Sequence, residues 1–207
     1  MTIDDRLTTL DALWSIWAGH GQAMAGDQWS RPTRLGDWNV RSLYAHAAWW
    51  PIGLSMLIDR VRDIEPTHAT AAALLRDFNA PDGIAHSTRD KVAADARESS
   101  ARYSTAQMVE QFAGTGPRAI ARARQLGPVV VDYFGQAMLR LDEAVSIGIL
   151  EATVHLLDLQ RALGEPAEVP VEGLTHTAAI LAQMAPSVDF IEAATGRRTT
   201  DLFPVLS

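Results

Sequence analysis

The chain has no cysteine. That absence excludes disulfides, zinc–thiolate sites and a cysteine nucleophile together. Any sulfur nucleophile used here must therefore come from outside the protein. No stretch reaches the roughly 18 continuous apolar residues that a membrane span needs. The N-terminal segment MTIDDRLTTL is acidic and lacks a positive region ahead of an apolar core. A signal peptide is therefore not expected, and a cytoplasmic protein is. Basic charge is also short. Lys and Arg number 18 against 25 Asp and Glu, a net charge of −7, and no Lys/Arg run offers a footprint for phosphate backbones. Nucleic acid and membrane are thus not expected partners. Gly-rich phosphate loops and nucleophile elbows are missing too. Strand signals are scarce. The one β-like run is Val129-Val130-Val131, and it reads as continuing directly into helical pattern at Gly135.

What is present suits a helical domain. The 207 residues are 47% hydrophobic, enough to bury a substantial core in one ordinary domain. The chain is rich in Ala, Leu, Met, Arg, Glu and Gln, which favour helix. Leu7, Leu10, Leu13, Trp14 and Trp17 recur at three- and four-residue spacing, predicting a first helix over Ile3 to Met24 with one buried face. Gly26 to Trp38 reads as a loop. A second helix is predicted over Val40 to Val61, with Asn39 as N-cap and a kink at Pro51.

Further helices are expected over Ala69 to Phe78, Thr88 to Tyr103 and Thr105 to Gln125. Gly114, Gly116 and Pro117 weaken the middle of the last of these. A long helix covers Gln136 to Leu163 and is closed by Gly164 and Pro166. The tail from Val171 to Ala194 is helical again, and the last residues read as extended. Pro166 to Pro170 divides a main unit, residues 1–165, from a C-terminal helical extension, residues 166–207, that is too short to fold alone and is expected to pack on it.

The chemistry concentrates on the long helix. Glu151 and His155 are four apart, so carboxylate and imidazole share one helical face. Ile147, Leu150, Val154, Leu156, Leu157 and Leu159 surround them, so the helix is apolar nearly all round and its Glu and His need partners. One metal ion would partner both. A buried Glu–His hydrogen bond without metal would do so as well. Asp158, three residues further on, could accept a hydrogen bond from a ring nitrogen. His46 on the second helix would complete a three-ligand set with one coordination position open.

Trp49 and Trp50 follow His46 by three and four residues, which puts at least one near its face, as core or as the wall of a pocket. His20, His68, His86 and His176 read as ordinary surface histidines. Arg197-Arg198 reads as a solvated end. No catalytic side chain can be named beyond a metal-activated thiol or water.

Two segments carry a family resemblance. Trp29, Pro32, Thr33, Leu35, Gly36, Asp37, Trp38, Val40, Arg41, Leu43, Ala45 and His46 resemble the N-terminal signature of the DinB-like superfamily. Pro128 through Gly135, Met138, Leu141, Glu151, His155, Asp158, Leu159, Ala162 and Gly164 form a second signature. Within the superfamily the chain is most similar to the mycothiol-dependent maleylpyruvate isomerase family. The resemblance implies an all-α four-helix bundle with short additional helices and a divalent metal near one end, held by His46, Glu151 and His155. It also implies mycothiol as thiol cosubstrate.

Three features depart from that family. Ser42 stands where members often carry an acidic residue, and Leu156-Leu157 stands where they often have Gly-Trp. The isomerase itself has a further C-terminal domain, for which 207 residues are expected to leave too little room. A His2Glu set suits zinc, and nickel, manganese or iron would accept the same ligands. The expected function is a metal-dependent enzyme that uses a low-molecular-weight thiol for isomerisation or S-transfer on a small electrophilic substrate, as a monomer or homodimer. The alternative is a non-catalytic bundle that binds a small ligand, or a stress-related one with a vestigial metal site.

Overall fold

Four helical rods form a ring around one core. The first is α1 (Ile3–Ala23); α2 (Val40–Ala47) and α3 (Trp49–Ile58) together make the second. α6 (Thr105–Glu110), a π-turn (Gln111–Thr115) and α7 (Gly116–Leu126) make the third, and α8 (Leu141–Leu163) is the fourth. α1 lies against α8 and α7, and the α2–α3 rod closes the ring against the same two. The structure is a computed structural model describing residues 1–199, 202, 204 and 205. The expected extended end therefore lies partly outside the described residues. The largely helical chain agrees with the all-α expectation. No helix among the described residues is long and apolar enough to cross a membrane.

The local reasons are plain. Thr2 and Asp5 form a reciprocal capping box at the start of α1. Its periodic residues, Leu7, Leu10, Leu13, Trp14 and Trp17, are all buried. Asn39 caps α2 by accepting from the Ser42 N–H at 2.9 Å. Gly164, in the left-handed region at φ 76°, closes α8.

The predicted helix from Val40 to Val61 is two helices, with the break at Ala48 and not at Pro51. A proline ring clashes with the carbonyl four residues earlier, so a continuous helix through Ala47 to Pro51 is disfavoured. Restarting at Trp49 puts Pro51 in a first turn, where its missing N–H costs nothing. The weakness expected near Gly114 and Pro117 takes the form of the π-turn.

The region around Val129 also differs from expectation. The chain forms a hairpin, β2 (Val130–Tyr133) and β3 (Ala137–Arg140), before α8 starts at Leu141. A two-residue strand, β1 (Val61–Arg62), pairs with β2 through Val61 and Val131, giving the antiparallel order β1-β2-β3. Val131, Tyr133, Ala137 and Leu139 are buried while Val130, Asp132, Met138 and Arg140 are less so, the two-residue period of a strand. Phe134 and Gly135 turn the hairpin with φ 54° and 76°, and Asp132 accepts from the Gly135 N–H at 2.7 Å.

The remaining helices are α4 (Ala71–Phe78), α5 (Ile84–Arg102), α9 (Val171–Met184) and α10 (Ser187–Ala194). α5 covers α2, and α9 packs on α8, α4 and α1 through Gly173, Thr177, Ile180 and Met184.

Candidate metal centre

The rods that carry the site are tied together beside it. Trp17 of α1 donates its indole N–H to the Ala152 carbonyl at 3.1 Å. The Tyr44 hydroxyl of α2 donates to the Trp17 carbonyl at 2.9 Å. Trp17 thus links the residue next to Glu151 with the residue two before His46. Edge-on and stacked contacts among Trp17, Tyr44, Trp29 and Phe112, with ring centroids 5.1 to 5.4 Å apart, fill the space around this link. α1 and α2 approach closely at Gly21, where a Cβ would come within 2.2 Å of Tyr44 Oη.

On that frame α2 presents His46 from its last turn, and α8 presents Glu151 and His155 from one face. Glu151 Oε2 lies 3.5 Å from His155 Nε2 and 3.8 Å from His46 Nε2. One ligand atom from each of the three falls within 4.8 Å of the others. The two imidazoles meet edge to face at 5.1 Å. A tetrahedral ion with bonds of about 2.1 Å spaces its donors about 3.4 Å apart. The donor types and spacing therefore fit a divalent cation. The three side chains keep 17 to 22% of their exposure, so the cluster is reachable from solvent.

Behind His155 stands a second carboxylate. Asp158 Oδ2 lies 3.1 Å from His155 Nδ1, and Asp158 is 2% exposed. Its other oxygen accepts from Arg34 Nε at 2.5 Å. Burial disfavours the charged form of Glu151. Hydrogen bonds to His155 and His46, and their charges, outweigh it and hold the carboxyl well below the usual range. Burial likewise opposes the imidazolium of His155. Its hydrogen bonds to Asp158 and Glu151 prevail and push it up to about 9. Asp158 is held low against its own burial by His155 and Arg34. Burial, and secondarily the Glu151 charge, lift the Tyr133 hydroxyl far above the ordinary phenol range, so it stays neutral.

Some expectations move. Among the described residues the tryptophan on His46 is Trp38, edge-on at 5.1 Å. Trp49 and Trp50 follow on α3, just past the break at Ala48. Trp49 is 41% exposed and rests on Phe134 and Trp50, so it is not core. Trp50 packs half-buried against the core. His176 is not a surface histidine. It is half-buried and lies 2.9 Å from Ser146 Oγ, because α9 folds back over α8. His20 is also half-buried, 3.3 Å from Glu165. His68 pairs with Asp77, and His86 is exposed. Arg198 pairs with Asp189 at the surface. Arg34 and Tyr133 carried no sequence signal. Arg34 belongs to a loop 124 residues from Asp158, and only packing brings Tyr133 near Glu151.

A four-helix ring with a histidine on one rod and a Glu–His pair on another defines a DinB-like protein of the metal-binding kind. Residues 10–160 match the mycothiol maleylpyruvate isomerase N-terminal domain, and the chain belongs to that family. Comparisons with curated proteins and with solved structures give no match.

Proposed function

We propose that the chain is a metal-dependent enzyme that uses mycothiol for isomerisation or S-transfer on a small electrophilic substrate. His46, Glu151 and His155 hold the metal. One observation carries this reading: two imidazole Nε2 atoms and one carboxylate oxygen converge in a solvent-reachable cluster, in a mycothiol-related family and in a chain with no thiol of its own. Zinc suits the donor set best, and nickel, manganese or iron would accept the same ligands.

When bound, such an ion supplies Lewis acidity that lowers the pKa of a thiol at an open position. The chain's own groups prepare for it. Asp158 accepts the Nδ1 proton of His155, which leaves Nε2 as the donor atom toward Glu151. Glu151 brings one negative charge to offset the ion. Trp38 packs edge-on against His46 and supports that ring. His155 must give up one proton before it can ligate.

Calorimetric titration of the zinc-loaded protein with mycothiol tests the reading. Saturable binding that disappears in His46→Ala supports it. No heat at millimolar thiol would overturn it in favour of a non-catalytic ligand-binding bundle.

A further inference from the structure

The loop between α1 and α2, residues 24–39, reaches both histidines of the cluster from outside. Trp38 packs edge-on against His46, and Arg34 reaches Asp158, which holds His155. The loop is itself well fixed. Thr33 donates its N–H and its hydroxyl to the Trp38 carbonyl at 2.9 and 2.8 Å. The Trp38 N–H donates to Leu35 O at 3.2 Å, and Arg31 donates to the Leu163 carbonyl at the end of α8 at 2.9 Å. Gly36 turns the loop at φ 58°.

We propose that Arg34 is a positioning residue of the metal centre: by gripping Asp158 from the loop, it fixes His155 with Nδ1–H turned to Asp158 and Nε2 turned to Glu151. The inference rests on the metal reading above.

The two oxygens of Asp158 are divided between two donors. Oδ1 takes Arg34 Nε at 2.5 Å, and Oδ2 faces His155 Nδ1 at 3.1 Å. The arrangement leaves the carboxylate one orientation, which sets the imidazole ring. When His155 serves as a neutral ligand, Arg34 is the remaining cation on Asp158 among the described ion pairs. A charge-assisted hydrogen bond from the guanidinium adds geometric constraint as well as strength, so Arg34 keeps the carboxylate aligned on Nδ1. Its side chain is half exposed while Asp158 is nearly fully buried, so the pair transmits from the surface loop into the site.

The experiment uses the full chain as wild type, Arg34→Ala and Arg34→Lys. Zinc affinity is measured against a chelating competitor. Cobalt(II) absorption reports ligand geometry, and melting is followed with and without zinc. Arg34→Ala should weaken zinc binding about tenfold, change the cobalt absorption and reduce the zinc-induced rise in Tm. Arg34→Lys, which keeps a cation on Asp158, should restore most of each. Wild-type affinity and cobalt spectrum in Arg34→Ala would overturn the proposal. So would an equal loss of Tm with and without zinc, since Arg34 would then only support the fold. Wild-type protein that binds neither ion would overturn the metal reading itself, and the role of Arg34 with it.

Discussion

Nδ1 of His155 lies 3.1 Å from Oδ2 of Asp158, three residues further along the same helix. The opposite ring nitrogen, Nε2, faces Glu151 at 3.5 Å. The ring is therefore oriented from behind by one carboxylate and presented to another, with His46 closing the third corner.

Metal content follows from that corner. Purified protein should carry close to one equivalent of divalent metal, and His46→Ala or His155→Ala should lose it. Zinc should raise the Tm of the wild type and not of the variants. Protein never exposed to chelators that shows no metal by elemental analysis, even after incubation with zinc, would refute the assignment.

The metal-free protein should have a distinctive pH profile. The His155 pKa is raised, so its contribution to stability is complete below its ordinary value near 6.5 and is lost as pH rises through about 9. Glu151 is lowered, so its contribution is present above the ordinary carboxylate range and is lost on acidification. Urea melts of metal-free protein should show stability falling between pH 7 and 9. In His155→Gln that fall should flatten, and an unchanged slope would show that the stabilising ion pairs of His155 do not form.

The same proton couples to metal. Below about pH 9 the metal-free His155 holds a proton that an ion must displace. Zinc binding should therefore release protons near neutral pH, and apparent affinity should rise with pH. Calorimetry in buffers of different ionisation enthalpy measures the number released. A value of zero would contradict the predicted state of His155.

A thiol at the centre should release a further proton, because the thiolate is the ligand. Mycothiol added to zinc-loaded protein should give buffer-dependent heat and quench tryptophan fluorescence through Trp38, which packs on His46. Glu151→Gln should shift the pH dependence by removing one negative charge at the ion. A pH dependence identical to wild type would place Glu151 outside the metal's ligands.

The close approach of α1 and α2 can be tested by stability alone. Gly21→Ala would put a Cβ within 2.2 Å of Tyr44 Oη and 2.6 Å of Val109 Cγ2. A loss of about 1–3 kcal/mol is expected. Tyr44→Phe removes the hydrogen bond to Trp17 and should cost about 1 kcal/mol. The double variant should lose less than the two single losses added, since part of the clash goes with the hydroxyl. Strict additivity in urea denaturation would argue against the contact.

Local chemistry settled much of this protein before any packing was considered. The three-to-four spacing of Leu7 through Trp17 and the Asn39 cap needed only helical geometry. The four-residue step from Glu151 to His155 needed no more, because a helix period is a property of near neighbours. The step from His155 to Asp158 was legible for the same reason.

What the tertiary structure decided are the relations between distant segments. His46 meets Glu151 because Trp17 bridges α1, α2 and α8. The hairpin at Val130 pairs β2 with β3 and gains β1, some 70 residues earlier, as a third strand, and a short apolar run reads equally well as helix or strand until its partners are known. Trp38 lies edge-on against His46, a contact from the preceding loop that spacing along a helix does not give. Arg34 had no sequence signal at all. A loop arginine acquires a role only when the fold carries a buried carboxylate to within hydrogen-bonding distance, and nothing in the spacing of residues encodes that meeting.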